Sequence, residues 1–362
     1  MTSQAPDILP HAPNHAQRFA FLDVARGLAA LVVMLQHSLE GSGIESLEPG
    51  AVATTWLNLG ETGVAIFFLV SGFIIPASVR EGSTVRDFVI RRTMRIYPLY
   101  WAIFAVTIVI LVGFGGQSMP PLGTTIGSHM LFVQEWLHLP NFVGGSWTLF
   151  IEMIWYIAFA LAFFSFFGVG FRLVASFLVA YALITFSAAY IFPSFPFGRL
   201  SIFALCFYGY LYLLYFEERV SKHAFHIGST IFLILIAINI FVGFYLNPST
   251  AHAAPSFSCV AISWSIALLV FPLLLYKRHS AFAQSPVLRY LGEISYSVYL
   301  LHSAIMRALE LTDIRGLPFI ALTFTLTILG ATLTYKYIEK PGVMLARSWT
   351  RSRTPSLKAA TH

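Results

Sequence analysis

A chain of 362 residues that is 57% hydrophobic and 10% charged, with mean hydropathy +0.75, is too apolar for a soluble globular domain. Its formal net charge of +6 would suit nucleic acid, but the basic residues lie between apolar blocks, where membrane topology accounts for them. The two cysteines, Cys206 and Cys259, fall in or beside such blocks, which argues against a disulfide framework, and no Cys/His spacing suits a metal.

Apolar blocks of roughly 18 to 22 residues can each cross ~30 Å of hydrocarbon. They predict an all-α polytopic membrane protein, a bundle of about ten transmembrane helices. The blocks are 19–39, 59–79, 96–114, 146–167, 172–192, 198–216, 226–246, 256–276, 288–310 and 317–338, with tight connections at 163–175 and 192–199. If the N-terminus is inside, every Lys and Arg falls on the cytoplasmic side except Arg199, Arg307, Arg315 and the intramembrane Arg26. That asymmetry predicts both termini in the cytoplasm. Residues 1–18 read as a disordered cytoplasmic tail, 19–340 as one transmembrane domain, and 341–362 as a basic cytoplasmic tail, the polar stretch 340–362 being disordered as well. The tail is too short for a soluble catalytic domain, so any chemistry is expected inside the bundle.

The first span contains "DVARGLAALVVMLQHS", Asp23 to Ser38. With Asp23 and Arg26 in its core and only Arg18 before it, it makes a poor cleavable signal and is expected to be retained. Arg26 and His37 are 11 residues apart, three turns plus about 20°, so they share one helix face. Asp23 and Arg26, at i,i+3, are in reach of an ion pair. The first outer loop carries Glu40, Glu45 and Glu48 without a basic residue. In the second span, "FFLVSGFII" puts Ser71-Gly72 inside a helix, either as a close helix crossing or as backbone lining a ligand channel. The cytoplasmic "STVRDFVIRRTMRIYPLYW" opens on a capping box, Thr84 and Asp87, so a helix should start there. Arg91, Arg92 and Arg95 then crowd about one turn. They read either as a positive-inside stop or as an anion site, since guanidinium forks suit phosphate oxygens.

The stretch 115–140, with Gly, Pro and scattered His, is the longest outer loop. The fourth span opens with "GGSWTLFIEMIWY", which sets Glu152 ~9 Å deep by helical rise. An intramembrane carboxylate faces a partner or a water-filled cavity. The topology puts it at a depth similar to His37, either orienting that imidazole as a general base or locking two helices together. In the ninth span, "LRYLGEISYSVYLLHSAIMR", Glu293 and His302 point to opposite faces, Ser295 shares the face of His302, and Glu293 is in i,i+4 register with Arg289. His302, toward the outer leaflet, reads equally as an acceptor contact or as helix glue.

Taken in order, several motifs make the chain resemble the acyltransferase 3 family of integral-membrane acyltransferases. A basic residue, ten residues and a histidine are matched by Arg26 and His37; Arg-x-x-Arg by Arg92 and Arg95, followed by "IYPLYW"; and Ser/Thr-Leu-x-x-Glu by Thr148 to Glu152. "FFLVSGF" and "GEISYSVYLLH" are also similar, and the likeness covers about residues 18–340. The resemblance implies transfer of an acyl group, usually acetyl, from cytoplasmic acyl-coenzyme A to a hydroxyl of an envelope or exported carbohydrate. The enzyme would sit in a bacterial inner membrane, with no permanently bound cofactor, no metal and no nucleic acid. It also implies the stand-alone form, without a fused extracytoplasmic domain.

In that frame Arg92 and Arg95 hold the donor's phosphates, and Arg26 guides the pantetheine arm or the last phosphate. His37 is the general base with Glu152 orienting it, an acyl-histidine intermediate being the competing mechanism. Ser71, Trp147 and His302 are the expected substrate contacts. Arg26 to His37 is ~16 Å along the axis, within reach of a pantetheine chain. Two other classes fit the residues alone: a transporter or flippase for a sugar or lipid-linked substrate, and a membrane sensor whose charges only fix helix packing. Transporter folds often show repeated halves with broken helices in matching positions, and no such repeat is visible in the sequence.

Overall fold

The computed structural model describes residues 19–44, 56–79, 83–164, 170–192, 195–247 and 255–351. Among these residues the chain is helical throughout and has no strand. In chain order the helices are α1 (Ala20–Glu40), α2 (Leu59–Ser78), α3 (Val85–Ile108, running into a π-helical end Val109–Phe114) and α4 (Leu122–Leu131). They continue with α5 (Ser146–Phe164), α6 (Phe171–Ile191), α7 (Phe197–Phe216), α8 (Lys222–Ile240, with a π-helical end Phe241–Leu246) and α9 (Phe257–Tyr276). The last are α10 (Pro286–Glu293), α11 (Ser295–Glu310), α12 (Gly316–Thr334, with a π-helical end Tyr335–Glu339) and α13 (Lys340–Arg351). Among the described residues nine helices are long and apolar enough to cross a membrane.

Local chemistry sets several of the starts. Asn58, Thr84, Ser221 and Ser256 each accept a hydrogen bond from the backbone N–H three residues on, capping α2, α3, α8 and α9. Thr84 does so for Asp87 at 3.1 Å, the N-cap half of the expected capping box, and α3 starts there.

Small residues bring the central helices together. α1, α2 and α7 form the middle, with 61%, 67% and 72% of their apolar windows buried against 28% for α6 at the edge. A Cβ on Gly72 would lie 1.9 Å from the carbonyl oxygen of Cys206, and one on Gly209 would lie 2.1 Å from that of Leu69. Ser71-Gly72 is therefore a backbone-to-backbone crossing of α2 on α7. Gly63 meets the Ala29 carbonyl on α1 in the same way, and Gly292 of α10 meets the Asp23 carbonyl.

Three expectations are corrected. The predicted span 288–310 is two helices, α10 and α11, broken at Ile294. Gly292 is pressed on α1, and the Ser295 hydroxyl takes the Gly292 carbonyl at 2.8 Å, offering that group an alternative to the helix ladder. The predicted polar tail from residue 340 instead begins as a helix that runs to Arg351. It packs along α3, where Gly342 approaches the Met94 carbonyl and Arg91 Nε donates to Thr350 Oγ1 at 3.1 Å. Residues 1–18 and 352–362 lie outside the described residues, as do parts of the two tight connections.

The third correction concerns the loop 115–140. Within it α4 folds back along α3: Phe104 and His129 rings are 4.7 Å apart, Tyr100 Oη is 2.7 Å from His129 Nδ1, and Tyr97 Oη donates to the Met130 carbonyl at 2.7 Å. The end of α4 thus reaches a level only two residues from Arg95. The chain returns to α5 through left-handed residues at Phe132 and His138 and a buried network in which Gln134 donates to Ser146 and Ser146 donates to Asn141. Irregular backbone at such depth is tolerated where protein satisfies it.

Candidate functional site

Two polar layers cross the apolar bundle, one rich in arginine and one in histidine. In the arginine layer, Arg92 caps the Phe88–Tyr156 ring pair, 5.4 and 5.5 Å from their centroids, and donates through Nη2 to Ser78 Oγ. Its Nε is buried without a partner. Arg95 Nη1 is 2.7 Å from Glu339 Oε1. That contact is an ion pair without hydrogen-bond angles, since Glu339 Oε1 has no hydrogen-bonded donor. The other Glu339 oxygen accepts from Ser297 Oγ at 2.8 Å, and the carboxylate is fully buried.

Tyr156 Oη donates to Glu152 Oε1 at 2.5 Å. The charge of Glu152 reaches Arg26, Arg92 and Arg95. Arg26 itself has no carboxylate within ion-pair distance among the described residues. Asp23, its expected partner, shares its field with Glu293 and Arg289 as well. Beside Arg91 and Arg92 a shallow open recess is lined by Ser78, Ser83, Asp87 and Phe88. The layer holds three guanidiniums with unspent donor capacity, the arrangement that a polyanion completes.

The histidine layer lies three turns further along α1. His37 Nδ1 is 3.0 Å from Glu40 Oε2, and the other Glu40 oxygen accepts from Gln36 Nε2 at 2.8 Å. A carboxylate only accepts, so Nδ1 carries a proton, and in the neutral imidazole this leaves the lone pair on Nε2. The His37 side chain is 47% exposed, whereas His302 is buried at 3%. The two imidazoles stack with centroids 5.5 Å apart and planes 9° off parallel. His302 Nδ1 donates to the Val298 carbonyl at 3.2 Å. Glu61 accepts from Trp264 Nε1 at 3.0 Å. Below the pair, the hydroxyls of Tyr299 and Thr148 are 3.0 Å apart.

The sequence-predicted residues thus separate into two groups. Arg26, Arg92, Arg95 and Glu152 come together, and so do His37 and His302. Glu152 does not meet His37; the carboxylate on that imidazole is Glu40. The reason is the level at which α5 starts. Thr148 is already beside Tyr299, one turn short of His302 on α11, so a further turn carries Glu152 past the histidines toward the arginines. Ser71 belongs to the α2–α7 crossing and to neither layer. Trp147 is half-buried near Arg199, 6.0 Å from its guanidinium. Glu40, Glu61, Tyr156 and Glu339 were not singled out as site residues by the sequence reading. Of these, Glu40 had a legible signal, its i,i+3 spacing from His37.

A family model described as an acyltransferase domain matches residues 19–336, most of the chain. The chain belongs to the acyltransferase 3 family. As in the expected reading, it is an integral multi-pass membrane protein. Among relatives of this family member is Acyltransferase MdmB of Streptomyces mycarofaciens, 31% identical over 155 residues, which are 41% of this chain and 40% of that protein. The putative peptidoglycan O-acetyltransferase YrhL of Bacillus subtilis (strain 168) is 24% identical across 91% of this chain and 56% of its own length. The exopolysaccharide production protein ExoZ of Rhizobium meliloti (strain 1021) is 36% identical over 115 residues, 28% of this chain and 34% of that protein. Each match spans less than two thirds of the relative. No solved structure matches the chain at a significant level.

Proposed function

We propose that this acyltransferase 3 protein moves an acyl group, acetyl in the first instance, from cytoplasmic acyl-coenzyme A to a hydroxyl of an envelope or exported carbohydrate. The single observation that carries the reading is the pairing of two layers on one helix. An anion-seeking arginine layer and a histidine with a free Nε2 stand ~16 Å apart along α1. Phosphate at one layer and thioester at the other are separated by a comparable length in a pantetheine-bearing donor.

Arg92, Arg95 and Arg26 bind the donor's phosphates at the cytoplasmic end. As the acceptor hydroxyl attacks the thioester carbonyl carbon, His37 Nε2 takes its proton. The carbon–oxygen bond forms, the carbon–sulfur bond breaks, and coenzyme A leaves as a thiolate that regains the proton. Glu40 holds Nδ1–H, fixes the tautomer and steadies the imidazolium. Glu152 acts in the other layer, where it orders Tyr156 beside Arg92. Peptidoglycan and exopolysaccharide in the relatives' names support a carbohydrate acceptor.

The test is His37→Ala, with surface glycans analysed by mass spectrometry. Acyl content should fall by about two to four orders of magnitude, the usual contribution of a general base, while the protein still inserts and binds acyl-coenzyme A. Retained acylation would overturn the role of His37.

A further inference from the structure

The return from α4 to α5 carries a polar cluster that the mechanism above leaves unused. Arg199, in the first turn of α7, donates to Glu135 Oε2 at 2.6 Å. Its guanidinium lies 5.0 Å from the Trp136 ring and 6.0 Å from the Trp147 ring. The other Glu135 oxygen accepts from Asn141 Nδ2 at 3.5 Å. None of this is sealed: Trp136 is 49% exposed, and the Arg199 and Glu135 side chains keep 36% and 28% exposure.

The cluster adjoins the histidine layer. Trp147 precedes Thr148, which touches Tyr299, and the Tyr299 ring is 6.1 Å from that of His302. The charges of Glu135 and Glu61 both reach Tyr299. An ion pair that only locked a loop would gain nothing from leaving the Trp136 indole half exposed. Indoles at a membrane interface, for their part, need no ion pair between them. A half-exposed Trp136 indole, packed on Phe150 with Arg199 over it, combined with a paired guanidinium and carboxylate, suits a ligand that is apolar on its flat faces and hydroxylated at its rim.

We infer that Glu135, Trp136, Trp147 and Arg199 form the acceptor subsite and that its ligand is a pyranose-containing saccharide. A ring face packs on an indole, and ring hydroxyls bond to Arg199 and Glu135, so that a neighbouring hydroxyl is presented to His37. The inference rests on the transferase reading for its purpose, but not for its test.

Calorimetric titration of the purified full chain with chitotetraose and with maltotetraose, as probes, decides it. Wild type should bind at least one of them. Trp136→Ala and Arg199→Gln should raise that dissociation constant by about tenfold or more, as central aromatic and arginine contacts do, and Trp136→Phe by less than about threefold. Acyl-coenzyme A affinity should be unchanged in all three variants. Binding of neither saccharide, or wild-type saccharide affinity in Trp136→Ala, would overturn the subsite. So would a parallel loss of donor affinity, which marks a structural lock. Saccharide binding that behaves as expected in a protein without donor binding supports the subsite and removes the transferase reading.

Discussion

A histidine serves as a base through one ring nitrogen, and the partner of the other nitrogen decides which one. At His37 that partner is Glu40, one turn away on the same helix, with Gln36 holding the far oxygen. Both side chains are partly exposed, 47% and 22%, so solvent shares in stabilising the imidazolium and Glu40 is less decisive than a buried carboxylate would be. Glu40→Gln is therefore expected to lower kcat by about tenfold, well short of the loss in His37→Ala, with donor affinity unchanged. A kcat equal to wild type would show that the pair has no catalytic part. The sequence made His37 visible because a histidine inside an apolar helix is costly. The same logic made Glu152 conspicuous and Glu40 ordinary, since Glu40 sits at a helix end where carboxylates are common. Depth, which separates the two, depends on how the preceding segment folds.

That segment is where helix periodicity stops being informative. Residues 115–140 are polar enough to be a loop, and only the contacts of Tyr97, Tyr100 and Phe104 with α4 show that they turn back into the bundle. The break at Ile294 was equally hidden, because "LRYLGEISYSVYLLH" has continuous helical character and the cause is a neighbour, the Asp23 carbonyl against Gly292. The long spans were legible for the opposite reason: nine apolar stretches are helices regardless of what they touch. Ser71-Gly72 had two readings, and the close approach to Cys206 selects the crossing. Gly72→Leu should therefore fail to pack: its Cβ alone would sit 1.9 Å from a carbonyl oxygen that belongs to a helix backbone. The expected result is a sharp fall in folded yield by size-exclusion profile and a Tm lowered by several degrees, as overpacking costs about 1–3 kcal/mol or more. Ser71→Ala should leave both unchanged.

At the scale of the whole molecule, the two layers make sense only if the bundle faces a particular way. Coenzyme A thioesters are cytoplasmic, so the proposed donor requires the arginine layer, the α12–α13 junction and α13 on that side. The same proposal requires the α11–α12 connection, beside the histidine layer, to lie outside. The distribution of Lys and Arg argues for this orientation by the positive-inside rule, and the fold offers a direct way to test it. Both native cysteines are free and buried, so an introduced one reports alone. Asp313 on the α11–α12 connection and Ser348 on α13 are exposed. Asp313→Cys should react with a membrane-impermeant maleimide in right-side-out vesicles, and Ser348→Cys only in inverted ones. The reverse pattern would set Arg26, Arg92 and Arg95 on the side without thioester donor. The same residues would then have to serve a different anion, and the ~16 Å from Arg26 to His37 would no longer measure the reach of an acyl carrier.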